Sequence, residues 1–404
     1  MMSWEKIKDL FHLKPSGQLY DVPLIYALLC LIGVGFVMVT SASMPEAERL
    51  YDNPYHIMIR QAVFVALGFV LFIVAISVKM QWWKVANPYL LLLGLGLLVL
   101  VLIVGNEING SKRWIPMGPI NIQASEVAKL FFFSYLAGYL VRKRDEVQEN
   151  LKGFVKPISV FIVYAGLILL QPDLGTVVVM FVTTVGLLFL AGAKLWQFFA
   201  LMLSGIGLVI ALIVFEPYRW ARVVGFLEPW EDPFGKGYQL VQSLMAYGQG
   251  GWLGQGLGNS VQKLQYMPHA HNDFIFAVVA EELGFIGVLT ILVLLGTLVF
   301  RALLIGQRAL KANKEYEGYL ALGIGIWFAF QSMVNVGASA GILPTKGLTL
   351  PFISYGGSSF LVMAIAAGVL LRVDFETKMA TKQATPRGNR RSVSGSTSAV
   401  QGAA

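Results

Sequence analysis

The chain has 404 residues, of which 56% are hydrophobic and only 13% are charged, and its mean hydropathy is +0.66. This composition excludes a soluble globular protein and predicts a polytopic membrane protein. The net charge of +8 therefore does not indicate nucleic acid, because in a membrane protein the informative quantity is how Lys and Arg are distributed among the loops.

Ten apolar stretches are predicted to cross the membrane. They cover residues 23–42, 58–78, 85–104, 123–141, 157–170, 175–192, 196–215, 274–300, 318–340 and 357–372. Ten spans place both termini on one side, and the loops of that side hold most of the Lys and Arg residues, so the positive-inside rule makes it cytoplasmic. The expected fold class is an all-α polytopic membrane protein with ten transmembrane helices, both termini cytoplasmic and one long extracytoplasmic loop between helices 7 and 8.

The predicted organisation has three parts. Residues 1–22 form a cytoplasmic N-terminal segment, and residues 23–372 form the ten-helix membrane domain with its extracytoplasmic loop at 216–272. Residues 373–404 form a basic cytoplasmic tail, which we expect to be disordered because it is polar and rich in Ser and Thr. The single cysteine, Cys30, excludes an intrachain disulfide.

Several cations oppose the charge asymmetry, because they lie in the predicted outer loops. Lys112 and Arg113 adjoin Trp114 in a segment whose glycines and prolines prevent a simple helix. Such cations are candidates for binding an anionic ligand; the alternative is an aromatic belt residue flanked by snorkelling side chains. Three further outer cations are candidates of the same kind: Arg219, Arg222 and Lys346.

Ionisable residues inside the predicted spans form a second group of candidates, with structural or coupling roles. Glu126 and Lys129 lie three residues apart in the fourth span, so they share a helix face and can form a structural ion pair. Glu281 and Glu282 lie in the eighth span and point in different directions. We therefore expect that they do not line one cavity together with Asp273, and that one of them pairs with a neighbouring helix.

Asp273 lies where the long outer loop, residues 216–272, meets the eighth span. Loops of this length are uncommon unless they are functional or disordered, and the aromatic content of this one argues against disorder. A carboxylate at such a junction can be partly desolvated and still reach a polar substrate, as a general base requires. The alternative is a helix cap, because Asn272 and Asp273 directly precede Phe274. The residues alone leave both alternatives open.

The chain resembles the SEDS family (shape, elongation, division, sporulation) in four segments: NGSKRWIPMGPINIQASEVAKL, QPDLGT, GQGLGNSVQKLQYMPHAHNDFIFAVVAEELG and LPTKGLTLPFISYGGSS. The resemblance extends from about Asp21 to Phe375 and is closer to the cell-division branch of the family than to the elongation branch. In this resemblance the catalytic aspartate of the family falls on Asp273. The family usually has an acidic residue and Thr where this chain has His269 and Asn272.

The resemblance implies a bacterial peptidoglycan glycosyltransferase that polymerises lipid II at the outer face of the cytoplasmic membrane during septal wall synthesis. It also implies a class B penicillin-binding protein and other divisome membrane proteins as partners. In the expected chemistry, Asp273 removes the proton of the acceptor 4-hydroxyl and the outer cations stabilise the departing diphosphate. A divalent cation, Mg²⁺ or Mn²⁺, is the one cofactor expected to share that task. His269 and His271 lack a second ligand pair, so the metal ligands stay unknown.

Two other classes of function compete with the enzyme. A lipid II flippase would place a polar site near the bilayer midplane, and the intramembrane charges favour it. A non-catalytic divisome scaffold explains neither those charges nor the acidic residue at the end of the outer loop. The one-sided loop that ends in Asp273 favours the enzyme.

Overall fold

The structure is a computed structural model that describes residues 19–108, 111–118, 120–264, 270–344 and 347–384. Two residues named above, His269 and the predicted ligand-binding Lys346, lie outside these ranges. The helices, numbered in chain order, are Val22–Tyr51 (α1), His56–Ser77 (α2), Met80–Val104 (α3), Ala124–Arg142 (α4), Arg144–Glu149 (α5), Leu151–Leu169 (α6), Leu174–Leu190 (α7), Leu195–Val214 (α8), Pro217–Leu227 (α9), Tyr238–Gly250 (α10), Ile275–Lys311 (α11), Glu315–Ser339 (α12) and Gly357–Ala384 (α13).

The membrane-spanning helices follow the predicted order. Within the described part of the chain, nine helices are long and apolar enough to cross a membrane, and α7 is an apolar helix of 17 residues. At about 1.5 Å per residue, α7 covers roughly 25 Å, close to the thickness of a bilayer's hydrocarbon core. The polytopic, almost entirely helical class is confirmed. The count of ten spans and the orientation remain predictions.

The core of the bundle lies around α4 and α12, and α8 lies at its edge. Of the 18 most apolar consecutive residues in α4, 78% are buried inside the protein, whereas the corresponding share in α8 is 6%. Helix α8 packs mainly on α7 and α9. Apolar side chains facing lipid need no protein partner, so tight helix contacts depend on close packing of small residues. Gly306 of α11 and Gly318 of α12 meet in this way: a Cβ on Gly306 would lie 3.0 Å from the Gly318 carbonyl oxygen.

Helix α11 is broken at Gly284, whose φ of 65° and ψ of −164° are not helical. A break at this depth leaves backbone N–H and C=O groups without intrahelical partners, and these must be satisfied by other protein groups. Four N–H to carbonyl hydrogen bonds join the broken helix to the loop that follows α10: Phe285 to Gly251, Ile286 to Trp252, Gln255 to Glu281 and Gly256 to Glu282. The glycine-rich loop therefore provides the hydrogen-bond partners that the backbone of the broken helix lacks.

A small antiparallel sheet between α3 and α4 departs from the all-helical expectation. Its strands are Asn106–Ile108 (β1), Ser111–Met117 (β2) and Ile120–Gln123 (β3), in the order β1-β2-β3. Gly118 follows β2 with a φ of 68°, which suits the first position of a two-residue hairpin connection. The strand pairing provides hydrogen-bond partners for backbone N–H and C=O groups in the segment where glycines and prolines prevent a helix.

The last helix ends later than the predicted tenth span. Helix α13 continues to Ala384, so residues 373–384 are helical and the expectation of disorder is wrong for them. Asp374 is almost fully buried and lies 2.7 Å from Lys378, one turn further along the helix. Asp21, at the start of α1, accepts a 2.8 Å hydrogen bond from Arg301 of α11. Buried ion pairs thus hold this end of the bundle together; residues 385–404 lie outside the described part.

Candidate active site

Asp273 lies two residues before the first residue of α11 and is not its N-cap residue. The helix begins at Ile275, and the side chain of its N-cap residue, Phe274, makes no capping hydrogen bond. Asp273 is partly exposed, whereas Phe274 and the residues that follow it are buried. The position therefore matches the predicted junction between loop and helix, with Phe274 rather than Asp273 in the N-cap position.

The loop that connects α12 to α13 lies beside the Asp273 carboxylate. A Cβ placed on Gly347 would come 3.4 Å from Asp273 Oδ2. The segment that carries Asp273 is held on both sides: the amide of Asn335 donates to the Asp273 carbonyl at 3.2 Å, and the Tyr355 N–H donates to the His271 carbonyl at 3.0 Å. The backbone on which the carboxylate stands is thus fixed to α12 and to the loop at 347–356.

His271 contributes a contact to α1 rather than an obvious metal ligand. Its ring is buried, lies edge-on to Tyr355 with 5.4 Å between the ring centroids, and places Nδ1 3.2 Å from a carboxylate oxygen of Glu46. This is an ion-pair distance without the alignment of a hydrogen bond. Burial raises the pKa of Tyr355, while the positive charge of Arg60 opposes that rise.

A buried polar chain runs from α4 to the loop beside Asp273. Lys129 Nζ lies 2.9 Å from Glu126 Oε1 and 3.3 Å from Gln331 Oε1, so the ion pair that the sequence predicted is present. Gln331 in turn donates to the Thr349 carbonyl at 2.8 Å. Lys129 also lies over the Trp327 ring, 4.9 Å from its centroid, where cation–π attraction stabilises it. The ion pair is therefore connected to the loop at 347–356; a coupling role stays a prediction.

Glu281 and Glu282 both hold the outer loop, in different directions from α11. Glu281 accepts a hydrogen bond from Ser260 Oγ at 2.5 Å and another from the Val261 N–H at 2.8 Å. Glu282 accepts from Lys263 at 2.7 Å and from Ser41 of α1 at 2.7 and 2.9 Å. Their different directions agree with the helical geometry, and Glu282 makes the predicted pairing with a neighbouring helix. These contacts assign both carboxylates to positioning of the outer loop.

The structure places Arg113 against the turn between α6 and α7. Its Nε donates to the Gln171 carbonyl at 2.9 Å and a terminal nitrogen donates to the Pro172 carbonyl at 2.6 Å. Lys112 is exposed and Trp114 is partly exposed on the same strand. Arg113 therefore ties the sheet to that turn, and the binding of an anionic ligand by these three residues stays a prediction.

The other described outer cations lie on α9. Arg219 donates to the Leu212 carbonyl at 3.0 Å and so fixes the corner between α8 and α9. Arg222, one turn further, is exposed and lines a small depression together with Lys236. Lys346 is outside the described residues, although its neighbour Gly347 lies beside the Asp273 carboxylate. The binding of an anionic ligand by these three cations stays a prediction.

Two buried amides near Asp273 were missed by the sequence analysis. Gln331 and Asn335 lie one turn apart on α12, inside an otherwise apolar span, and both donate to carbonyl groups of the loop at 347–356. Their spacing of four residues in a membrane helix was the available signal, because polar side chains at that depth need partners inside the protein.

The described residues do not fit a dedicated metal site. They contain no cluster of three or more His, Cys, Asp or Glu side chains that could hold an ion. The segment that carries Asp273 offers that carboxylate, backbone carbonyls and the His271 ring, and the Glu46 carboxylate lies 3.2 Å from that ring. We therefore derive no catalytic step through a metal.

Comparison with known proteins agrees with the resemblance seen in the sequence. The model of a family described as "Cell cycle protein", which groups FtsW, RodA and SpoVE, matches residues 22–379. Among curated relatives, "Probable peptidoglycan glycosyltransferase FtsW" of Pseudoalteromonas translucida (strain TAC 125) is 78% identical over 391 residues, which cover 97% of this chain and 98% of the relative. The protein of the same name from Escherichia coli O6:H1 is 54% identical over 372 residues, covering 92% and 90%.

Solved structures show a similar architecture. One, described as "Structural coordination of polymerization and crosslinking by a peptidoglycan synthase complex", superposes with a TM-score of 0.73 at 30% identity, covering 89% of this chain and 98% of the other. The Thermus thermophilus rod shape determining protein RodA superposes with a TM-score of 0.64 at 27% identity, covering 89% and 98%.

Proposed function

The chain belongs to the family of FtsW, RodA and SpoVE cell cycle proteins, and from this premise we propose that it is a peptidoglycan glycosyltransferase whose general base is Asp273. The observation that carries the assignment of the base is the position of Asp273. It lies at the end of the outer loop, outside the helix cap, partly exposed, and beside Gly347 of a second loop. The SEDS resemblance and the curated names of close relatives support the activity.

The proposed reaction extends a glycan strand from lipid II. The Asp273 carboxylate accepts the proton of the acceptor sugar's 4-hydroxyl while that oxygen forms a bond to the anomeric carbon of the donor. The bond from that carbon to the lipid diphosphate breaks, and the diphosphate leaves with the electron pair. Negative charge develops on the leaving group, and outer cations stabilise it: the candidates are Lys112, Arg113, Arg219, Arg222 and Lys346.

The proposal includes the setting of the reaction. The outer loop faces away from the cytoplasm, and the protein works at the division septum in the bacterial cytoplasmic membrane, together with a class B penicillin-binding protein. The similar structure whose description names both polymerization and crosslinking supports a paired transpeptidase. A glycan polymerase and a crosslinking enzyme act on the same strand, so their association places the product of the first at the site of the second.

Substitution of Asp273 by Asn tests the proposal. Asn is nearly the same size as Asp but cannot accept a proton, and general-base assistance contributes about 10²–10⁴-fold to the rate. We expect Asp273→Asn to insert, to bind its penicillin-binding partner and to make no detectable glycan from purified lipid II. Asp273→Glu is also impaired, because one extra methylene displaces the carboxylate by about 1 Å.

Asp232→Asn is a matched control, because Asp232 is an exposed acidic residue of the same outer loop that accepts a hydrogen bond from the Lys236 N–H. We expect this variant to polymerise at nearly the wild-type rate. Polymerisation by Asp273→Asn at that rate removes Asp273 from catalysis. If the wild type with its partner makes no glycan but moves lipid II across vesicle membranes, the protein is a flippase instead.

A further inference from the structure

The side-chain amide of Asn335 bridges the two loops that meet at Asp273. Its Nδ2 donates to the Leu348 carbonyl at 2.6 Å and to the Asp273 carbonyl at 3.2 Å. The two hydrogens of one NH₂ group thus serve residues that are 13 and 62 positions away in the chain. Asn335 belongs to α12, one of the most enclosed helices of the bundle, and its side chain is 1% exposed.

The bridge controls a geometry on which the proposed chemistry depends. Asp273 precedes Phe274, the N-cap residue of α11, so its backbone lies outside the helix, and the Phe274 side chain makes no capping hydrogen bond. Gly347, which lies beside the carboxylate, directly precedes Leu348. Because Asn335 holds the Asp273 carbonyl and the Leu348 carbonyl together, it sets the distance between the carboxylate and the loop at 347–356.

The amide also has features that packing alone would not require. Its Oδ1 is buried and accepts no hydrogen bond from the residues that the structure describes. A buried acceptor without a partner is unfavourable, so the Oδ1 atom of Asn335 lowers the stability of the fold. The favourable contribution of the amide is the two hydrogen bonds that its Nδ2 donates to the loops. An apolar side chain of similar size would fill the same space without those contacts.

From this geometry we propose that Asn335 is a positioning residue for the general base Asp273, and that it acts on turnover rather than on substrate affinity. The proposal rests on the proposed function, in which Asp273 accepts the acceptor's proton. A displacement of a catalytic group by 1 Å can lower a rate by about 10²-fold, whereas binding of the lipid and diphosphate parts of the substrate depends on other contacts. Loss of the bridge therefore lowers kcat and leaves KM nearly unchanged.

The test measures polymerisation of lipid II by Asn335→Ala with the penicillin-binding partner present. Binding of fluorescent lipid II per chain counts the folded molecules, so that turnover is expressed per binding-competent enzyme. We expect kcat to fall by about 10–100-fold, while KM and the dissociation constant change by less than about twofold. Asn335→Ser, which keeps one donor, has intermediate turnover and decides the question if the Ala variant does not fold.

A matched control separates positioning of the base from folding of the loop. Ser354 is also buried and accepts a hydrogen bond from the Leu350 N–H at 2.8 Å, so it holds the same loop through a contact within the loop rather than through Asp273. We expect Ser354→Ala to keep turnover within about threefold of wild type at a similar melting temperature. An equal loss in Ser354→Ala and Asn335→Ala would assign the effect to loop folding and overturn the proposal.

Two reference proteins distinguish failure of this proposal from failure of the proposed function. If wild type polymerises lipid II, Asp273→Asn does not, and Asn335→Ala keeps its kcat within threefold, only the role of Asn335 is refuted. If wild type makes no glycan or Asp273→Asn remains active, the function on which the proposal rests has failed. A rise in KM with kcat unchanged would make Asn335 a substrate-affinity residue and would also overturn the proposal.

Discussion

The ammonium group of Lys263 lies 2.7 Å from the carboxylate of Glu282, and both side chains are almost fully buried. Ser41 completes the group, because its hydroxyl donates to Glu282 and accepts from Lys263 at 2.9 Å. The contact joins the outer loop, the broken helix α11 and the first helix α1. A charge pair in this position is stable only because each partner neutralises and hydrogen-bonds the other.

Removing one partner of that pair is expected to destabilise the protein strongly. Lys263→Met leaves the Glu282 carboxylate buried without its counter-ion, and breaking a buried pair costs about 3–5 kcal/mol. The measurement is thermal unfolding of the purified protein in detergent. Lys156→Met is the control, because Lys156 pairs with Glu146 at the exposed surface and such pairs contribute little. An unchanged melting temperature for Lys263→Met would show that the pair does not hold the loop.

The break in α11 is expected to depend on Gly284. An Ala side chain there is strained at a φ of 65°, and its Cβ would lie 2.3 Å from the Gly254 nitrogen and 2.7 Å from the Trp252 carbonyl. We expect Gly284→Ala to lower the melting temperature and to expose the loop after α10 to limited proteolysis. Gly296→Ala, on the same helix with nothing within 4 Å of its Cβ position, should leave both unchanged or slightly improved. Equal behaviour of the two variants would contradict this account.

Arg113 and Lys112 are neighbours in sequence with different predicted effects on stability. Arg113 donates to two carbonyl groups of the turn before α7. One of these hydrogen bonds is partly buried and the other is exposed to water, so their loss costs less than the about 1.5–3 kcal/mol typical of a hydrogen bond to a charged group. Arg113→Gln should therefore lower the melting temperature, and Arg113→Lys should not restore it, because an ammonium group lacks the planar fork. Lys112→Gln, at an exposed position, should unfold like wild type. If Arg113→Gln is as stable as wild type, the hydrogen bonds from Arg113 to the turn before α7 do not contribute to stability.

The predicted orientation can be tested by cysteine accessibility. In a Cys30→Ser background, Asn259→Cys places a thiol at an exposed position of the outer loop, and Glu149→Cys places one on the side predicted to be cytoplasmic. A membrane-impermeant maleimide should label Asn259→Cys in intact spheroplasts and Glu149→Cys only after lysis. Ser260, the next residue, would be a poor probe, because it is buried against Glu281. The reverse labelling pattern would refute the orientation.

The sequence by itself determined the features that depend on local composition and spacing. Hydropathy identified the spans, because a helix in lipid must be apolar over about 20 residues. The ion pair between Glu126 and Lys129 followed from a separation of three residues on one helix, and it is present at 2.9 Å. The junctional position of Asp273 also followed from the change from polar loop to apolar helix, although composition could not exclude a cap.

Only the tertiary structure decided which distant groups meet. The pairing of Glu282 with Ser41 joins residues 241 positions apart, and the contact of Asn335 with Asp273 joins residues 62 positions apart. Such contacts depend on how the helices pack and where α11 breaks, and these are set by close approach of backbones and by the need to satisfy every buried polar group. A single sequence records the polar residues but not their partners, since helical spacing defines neighbours only within one helix.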